Sequence, residues 1–210
     1  MSLPGALDIE IPSPVEAFLI QKNLKILVKD IGFQDQLRNK GFGEKQDLEY
    51  ILQPYEALFL IHTKRLVLKT RSVKHIDFGT LLSITLRHDR DMLTKFLIYR
   101  DLRSRGYVAK EGFGFGVDFR VYERGEFEKK PAKYVVFGIN EGIHVEATHF
   151  SEALDQIVKM GKNAVVAVIE RRGEVTYYKV SKVRFSNNTN ISGINDKNLI
   201  IANKGILEKD

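Results

Sequence analysis

Apolar and polar positions alternate strictly over 117–122. Val117, Phe119 and Val121 fall on one side, and Asp118, Arg120 and Tyr122 on the other. Successive side chains of a strand point to opposite faces, so this segment predicts a half-buried strand. Other strand-like runs stand at 15–20, 25–28, 65–68, 107–110, 133–139, 164–169 and 175–180. Helical spacing marks other segments. A short helix over 34–40 closes at Gly41 and Gly43. From 47 to 62, Leu48, Ile51, Leu52, Tyr55, Leu58 and Phe59 recur at helical spacing. Pro54 interrupts that pattern, or opens a second helix at its first turn. The clearest helix follows Asp89 and Asp91, either of which can cap it. It carries Met92, Leu93, Phe96, Leu97 and Leu102 on one side and stops at Gly106. A last helix over 150–160 turns Leu154, Ile157 and Val158 inward. The stretch 111–116, with Gly112, Gly114 and Gly116, reads as a flexible loop. The stretch 123–130 reads as a charged loop, and 171–174 as a hairpin turn.

This order predicts an α/β (α+β) chain. A small mixed domain spans 15–70 and an α/β domain spans 85–186, flanked by tails at 1–14 and 187–210. The strand that begins at Val175 keeps alternating through Phe185, which risks an exposed edge. Pairing across a two-fold axis removes that risk, and so does cover by the C-terminal tail.

Composition narrows the function. The 210 residues are 43% hydrophobic and 29% charged, which suits a folded chain rather than a disordered one. No apolar run reaches the roughly 18 residues of a membrane helix, so no transmembrane helix, and no membrane-embedded partner, is expected. The N-terminus lacks the basic and apolar stretches of a secretory signal. The absence of cysteine removes disulfides, thiolate nucleophiles and cysteine zinc sites, and fits a reducing cytoplasm. Lys and Arg outnumber Asp and Glu by 33 to 27, a net charge of +6. That balance favours a polyanionic partner such as RNA, DNA or an acidic membrane surface.

Most candidate chemistry falls away on spacing. The glycines of 112–116 match neither phosphate-loop pattern, and a strand rather than a helix follows them. His62, His75, His88, His144 and His149 lack metal-ligand spacing, and no metal or cofactor is expected. No nucleophile elbow is present. Asp118 could begin a metal-nuclease carboxylate cluster, but the strand 164–169 carries no second inward acid. Arg100, Arg103 and Arg105 lie towards a helix C-terminus, where the dipole alone accounts for them. Two residues remain. Tyr122 ends the polar face of the alternating strand, and Lys162 precedes a buried strand. Near RNA, a tyrosine and a lysine could handle a 2′-hydroxyl and a phosphate.

The run FLIYRDLRSRGYVAKEGFGFGVDFRVY over 96–122 closely resembles the signature of archaeal tRNA-splicing endonucleases. So do KNAVVAVIERRGEVTYY over 162–178, NKGFGEK over 39–45 and LQPYEALFL over 52–60. The resemblance spans roughly 15–185. It implies a small mixed N-terminal domain and a restriction-nuclease-like α/β C-terminal domain. It implies metal-independent cleavage of precursor tRNA at bulge–helix–bulge junctions, leaving a 2′,3′-cyclic phosphate and a 5′-hydroxyl. The family uses a tyrosine as general base, a histidine as general acid and a lysine to stabilise the phosphate.

Tyr122 matches the family tyrosine and Lys162 the family lysine. The histidine is missing: Pro131 and Ala132 stand where the family carries a His-Ser pair. The resemblance also implies a dimer of dimers in which an acidic hairpin of one subunit enters a basic cleft of its neighbour. Here the hairpin is Glu170-Arg-Arg-Gly-Glu174, mixed in charge, and Glu170, Glu174 and Tyr177 are its expected interface residues. Arg100, Arg103, Lys182 and Arg184 are the RNA-binding candidates by charge. The expected assembly is a heterotetramer with a catalytic paralogue, in which this chain is the structural subunit, or a homo-oligomer. The alternative is a non-catalytic RNA-binding module of the same fold.

Overall fold

The computed structural model describes residues 13–114, 116–140, 147–184 and 198–204. The chain divides into two compact units between Ala109 and Lys110. Across the described residues the architecture is mixed α/β, with two six-stranded sheets and five helices.

The first unit holds β1 (Val15–Ile20), β2 (Lys25–Val28), α1 (Ile31–Asn39), β3 (Glu44–Gln46) and β4 (Glu49–Leu52). It continues with α2 (Pro54–His62), β5 (Leu66–Thr70), β6 (His75–Ile76), α3 (Phe78–Leu86) and α4 (Met92–Ser104). Its sheet runs β3-β4-β2-β1-β5-β6, with β1 and β5 parallel. The helix starts follow local chemistry. Asp30 accepts the N–H of Phe33 at 2.9 Å and Asp77 that of Thr80 at 2.8 Å, each relieving an orphan donor of the first turn. Pro54 opens α2, where its missing N–H costs nothing. The pattern over 47–62 is therefore a strand followed by a helix. Leu48, counted on the helical face, sits in the β3–β4 turn and is 95% exposed.

The core of this unit contains a buried polar knot. Glu56 is fully buried, and its Oε2 accepts the N–H groups of Gly43 at 2.9 Å and Gln53 at 3.0 Å. Tyr50 donates to the Phe42 carbonyl at 2.6 Å, and Arg103 to the Lys40 carbonyl at 2.7 Å. The turn after α1 is thus fastened from three elements. On α4, Met92, Phe96 and Leu102 are buried as expected, whereas Leu93 is exposed; Ile98 and Tyr99 fill the core instead.

The second sheet comprises β7 (Val108–Gly114), β8 (Val117–Tyr122), β9 (Tyr134–Asn140), β10 (Asn163–Ile169), β11 (Val175–Arg184) and β12 (Asn198–Lys204). Its order is β12-β11-β10-β9-β8-β7, with β9 and β10 parallel and α5 (Ala147–Lys159) between them in sequence. Leu154 and Ile157 of α5 pack with Val117, Val135, Phe137, Ala164, Val166 and Val180. Val158, read as inward, is 63% exposed, because it lies one position off the stripe that faces the sheet.

Two expectations change here. The glycine stretch is largely strand: β7 extends to Gly114, and residue 115 lies outside the described residues. A Cβ on Gly112 would lie 1.9 Å from the Val117 carbonyl oxygen, so glycine permits the close approach of β7 to β8. The edge of β11 is covered from within the chain. Residues Tyr178 to Arg184 of β11 pair antiparallel with Asn198 to Lys204 of β12. The tail therefore contributes a strand where pairing across a two-fold axis was the other solution. Among the described residues no helix is long and apolar enough to cross a membrane.

Candidate active site

The alternation of β8 is as the sequence implies: Val117, Phe119 and Val121 are buried, and Asp118, Arg120 and Tyr122 are partly exposed. Val121 pairs with Tyr134 of β9, and Tyr134 pairs with Asn163 of β10. Just beyond that rung, the Lys133 N–H donates to the Val121 carbonyl, and the Asn163 N–H to the Lys133 carbonyl, both at 3.0 Å. Tyr122, Lys133 and Lys162 therefore stand at the same end of three adjacent strands. Two strand spacings separate the backbones of Tyr122 and Lys162, about 10 Å. Two long side chains can bracket a phosphate group across that gap.

Each of the two is held by a neighbour. The Lys162 ammonium donates to the Ala132 carbonyl at 2.8 Å, in the segment that leads into β9. The Tyr122 ring meets the Phe127 ring edge-on, with centroids 5.1 Å apart. Lys110 lies over the other aromatic partner, 5.8 Å from the Phe127 centroid.

The loop between β8 and β9 adds charges that the sequence pattern did not single out. Glu123 accepts from Lys133 at 2.5 Å and from the Tyr134 hydroxyl at 3.2 Å. The Lys133 hydrogen bond, with its positive charge, holds the Glu123 carboxyl below its ordinary range. The same bond raises the Lys133 ammonium. Burial, above all, raises the Tyr134 hydroxyl. Lys130 pairs with Glu126 at 2.5 Å, which raises its ammonium as well. The i,i+4 spacing of Glu126 and Lys130 was a legible signal; the ten-residue reach from Glu123 to Lys133 was not.

Asp118 accepts the N–H of Gly138 at 2.6 Å, an anchor within the sheet. Arg103, an RNA-binding candidate, is 4% exposed, and its guanidinium carbon lies 4.1 Å from the Phe42 centroid. Its charge serves the core of the first unit. Arg100 lies 5.8 Å from the Phe96 centroid. Lys182 and Arg184 are on β11, with side chains outside the described ones. Glu170 and Glu174 are exposed at the β10–β11 turn, where their backbones bond at 3.0 Å. Tyr177 is buried within its own chain. His144 lies outside the described residues. Among the described residues no three of His, Cys, Asp or Glu are placed to hold a metal ion.

Comparison with known proteins bears on the same segments. The family model for the tRNA intron endonuclease N-terminal domain matches residues 13–82, and that for its catalytic C-terminal domain matches 92–177. The tRNA-splicing endonuclease of Methanothermobacter thermautotrophicus is 36% identical over 163 residues, 76% of this chain and 93% of that protein. That of Methanococcus vannielii is 28% identical over 160 residues, 76% of this chain and 90% of the relative. That of Thermococcus onnurineus is 30% identical over 152 residues, 72% and 87% respectively. Tyr122 and Lys162 both lie within the matched catalytic segment, and with both domain models in order, the chain belongs to the tRNA intron endonuclease family.

Proposed function

We propose that this chain is a structural subunit of an oligomeric tRNA-splicing endonuclease, working beside a catalytic paralogue. The substrate is precursor tRNA with bulge–helix–bulge junctions. In the reaction, the 2′-oxygen forms a bond to the adjacent phosphorus and the bond from phosphorus to the 5′-oxygen breaks. The products are a 2′,3′-cyclic phosphate and a 5′-hydroxyl, and no metal takes part. Tyr122 is the group that matches the base for the 2′-hydroxyl proton. Lys162 matches the group that stabilises charge on the pentacoordinate phosphate. An ammonium carries three N–H donors, so the bond to Ala132 leaves it able to reach a phosphate oxygen.

One observation carries the structural-subunit reading. The segment that grips Lys162 is Pro131-Ala132, which has no titratable side chain to protonate the leaving 5′-oxygen. The neighbouring ammonium groups, Lys133 and Lys130, are tied to carboxylates and raised, which makes them poorer proton donors. Loss of a general acid costs about 10²–10⁴ in rate. On this reading the site keeps the groups that bind and polarise a phosphate and has no acid at the Pro131-Ala132 position.

Cleavage of an end-labelled bulge–helix–bulge RNA by the purified chain, in EDTA, tests this. RNA binding without cleavage, with activity appearing on addition of a catalytic paralogue, is expected. Cyclic-phosphate products from the chain alone would show a catalytically competent homo-oligomer instead. The second reading, an RNA-binding module without partners, is favoured by the same missing histidine. It predicts that no paralogue restores cleavage.

A further inference from the structure

One stretch of the first unit is densely basic. Residues 57–76 contain Lys64, Arg65, Lys69, Arg71 and Lys74 and no Asp or Glu. This run supplies five of the six net charges, so the remaining 190 residues are nearly neutral. The run folds as the end of α2 and the β5–β6 hairpin, and β6 is the last strand of its sheet. Lys69 is paired with Glu16 on β1. Arg71, Ser72, Val73, Lys74 and His75, at and beside the hairpin tip, are all exposed.

The tip is built firmly. The Thr70 N–H donates to the Lys74 carbonyl at 2.8 Å, and the Val73 N–H to the Thr70 carbonyl at 2.9 Å. The Lys74 N–H donates to the Thr70 hydroxyl at 3.1 Å, and that hydroxyl bonds Ser72 at 2.9 Å. This framework holds Val73 at φ 65° and 62% exposed. A β-branched residue is a poor occupant of the left-handed region, which Gly or Asn fills without strain. An apolar side chain is thus held in solvent, at a conformational cost, between two cations.

We infer that the hairpin tip at 70–75 is a contact for the RNA backbone, separate from the Tyr122–Lys162 site. Arg71 and Lys74 neutralise phosphates, and Val73 packs against the apolar edge of a ribose. Cations fix the position of a nucleic acid through phosphates without reading sequence. The charge block therefore suits a helical part of the substrate rather than its bulges. This inference rests on the reading that the partner is RNA.

The test is fluorescence anisotropy of labelled precursor tRNA with the full chain at several salt concentrations. The double variant Arg71→Gln/Lys74→Gln is compared with Lys22→Gln/Lys45→Gln, which removes the same charge from exposed sites elsewhere in the first unit. Each phosphate contact contributes about 0.7–0.9 to the slope of log affinity on log salt. The hairpin variant is expected to lose about 1.4–1.8 of that slope and about 25–60-fold in affinity near 0.1 M salt. The control variant is expected to keep its slope. Val73→Asn, which suits the left-handed conformation, is expected to melt no lower than the parent yet bind RNA several-fold more weakly. Equal slopes for the hairpin and control variants, with parental binding intact, overturn this inference alone and leave an acidic protein surface as the partner of the tip. A parent with no salt-dependent RNA affinity overturns the RNA reading and this inference together.

Discussion

Replacing Pro131 by His tests the missing-acid argument directly. Residue 131 stands one step before Ala132, whose carbonyl holds the Lys162 ammonium at 2.8 Å. Consecutive Cα atoms are about 3.8 Å apart, so an imidazole there hangs within side-chain reach of a phosphate held by Lys162. A positioned general acid is worth about 10²–10⁴ in rate, or roughly 3–5 kcal/mol of barrier at about 1.4 kcal/mol per decade. The cost to the fold is smaller. Pro131 is exposed, and releasing a proline restraint costs about 0.4–1 kcal/mol. The assay is single-turnover cleavage of a bulge–helix–bulge RNA in EDTA, parent against variant, each without a catalytic paralogue. Pro131→His is expected to raise the rate by two to four decades and to add a limb near the imidazole pKa of about 6.5 to the pH profile. Tyr122→Phe in the same chain is expected to erase the gain. A Pro131→His chain that folds, binds RNA like the parent and cleaves less than about threefold faster refutes the reasoning.

Other outcomes follow from the geometry. Gly112→Ala drives a Cβ against the Val117 carbonyl, so the melting curve should show a loss of about 1–3 kcal/mol, or failure to fold. Arg103→Met removes the charged donor to the part-buried Lys40 carbonyl. A loss of about 1.5–3 kcal/mol on denaturant titration is expected, with RNA affinity of the folded protein unchanged; a weakened salt slope would restore Arg103 to the RNA contacts. Glu123 is held below its ordinary value of 4.5 by Lys133, so its stabilisation is present above that pH and fades as pH falls through the lowered value. Melting temperatures of parent and Glu123→Gln should therefore differ near neutrality and converge in acid.

Legibility varied with the range of the interactions. The β8 alternation, the strands β9 and β10 and the opening of α2 at Pro54 are local patterns, and they stood in the sequence. The placement of Tyr122 and Lys162 came through the family resemblance, because 40 residues of chain separate them and only the β8–β9–β10 order brings them to one end of a sheet. Glycine has no side chain to alternate, so β7 was invisible beyond Lys110; its reason for being glycine is a carbonyl on the next strand. Val158 was misjudged because a helical stripe is wide enough to make its margins ambiguous. The Glu123–Lys133 pair needed the loop to fold back on β9, which no spacing rule encodes.

β12 has a consequence for the life of the chain. A polypeptide is made from its N-terminus, and domains fold as they emerge. β11 can join β10 as soon as 175–180 is available, yet its other edge waits for 198–204. During that interval β11 is an open template for any passing strand. A copy that lacks β12 returns to the same condition, with its matched catalytic segment intact and the β11 edge bare. Loss of β12 would then leave β11 free to pair with a strand of another molecule.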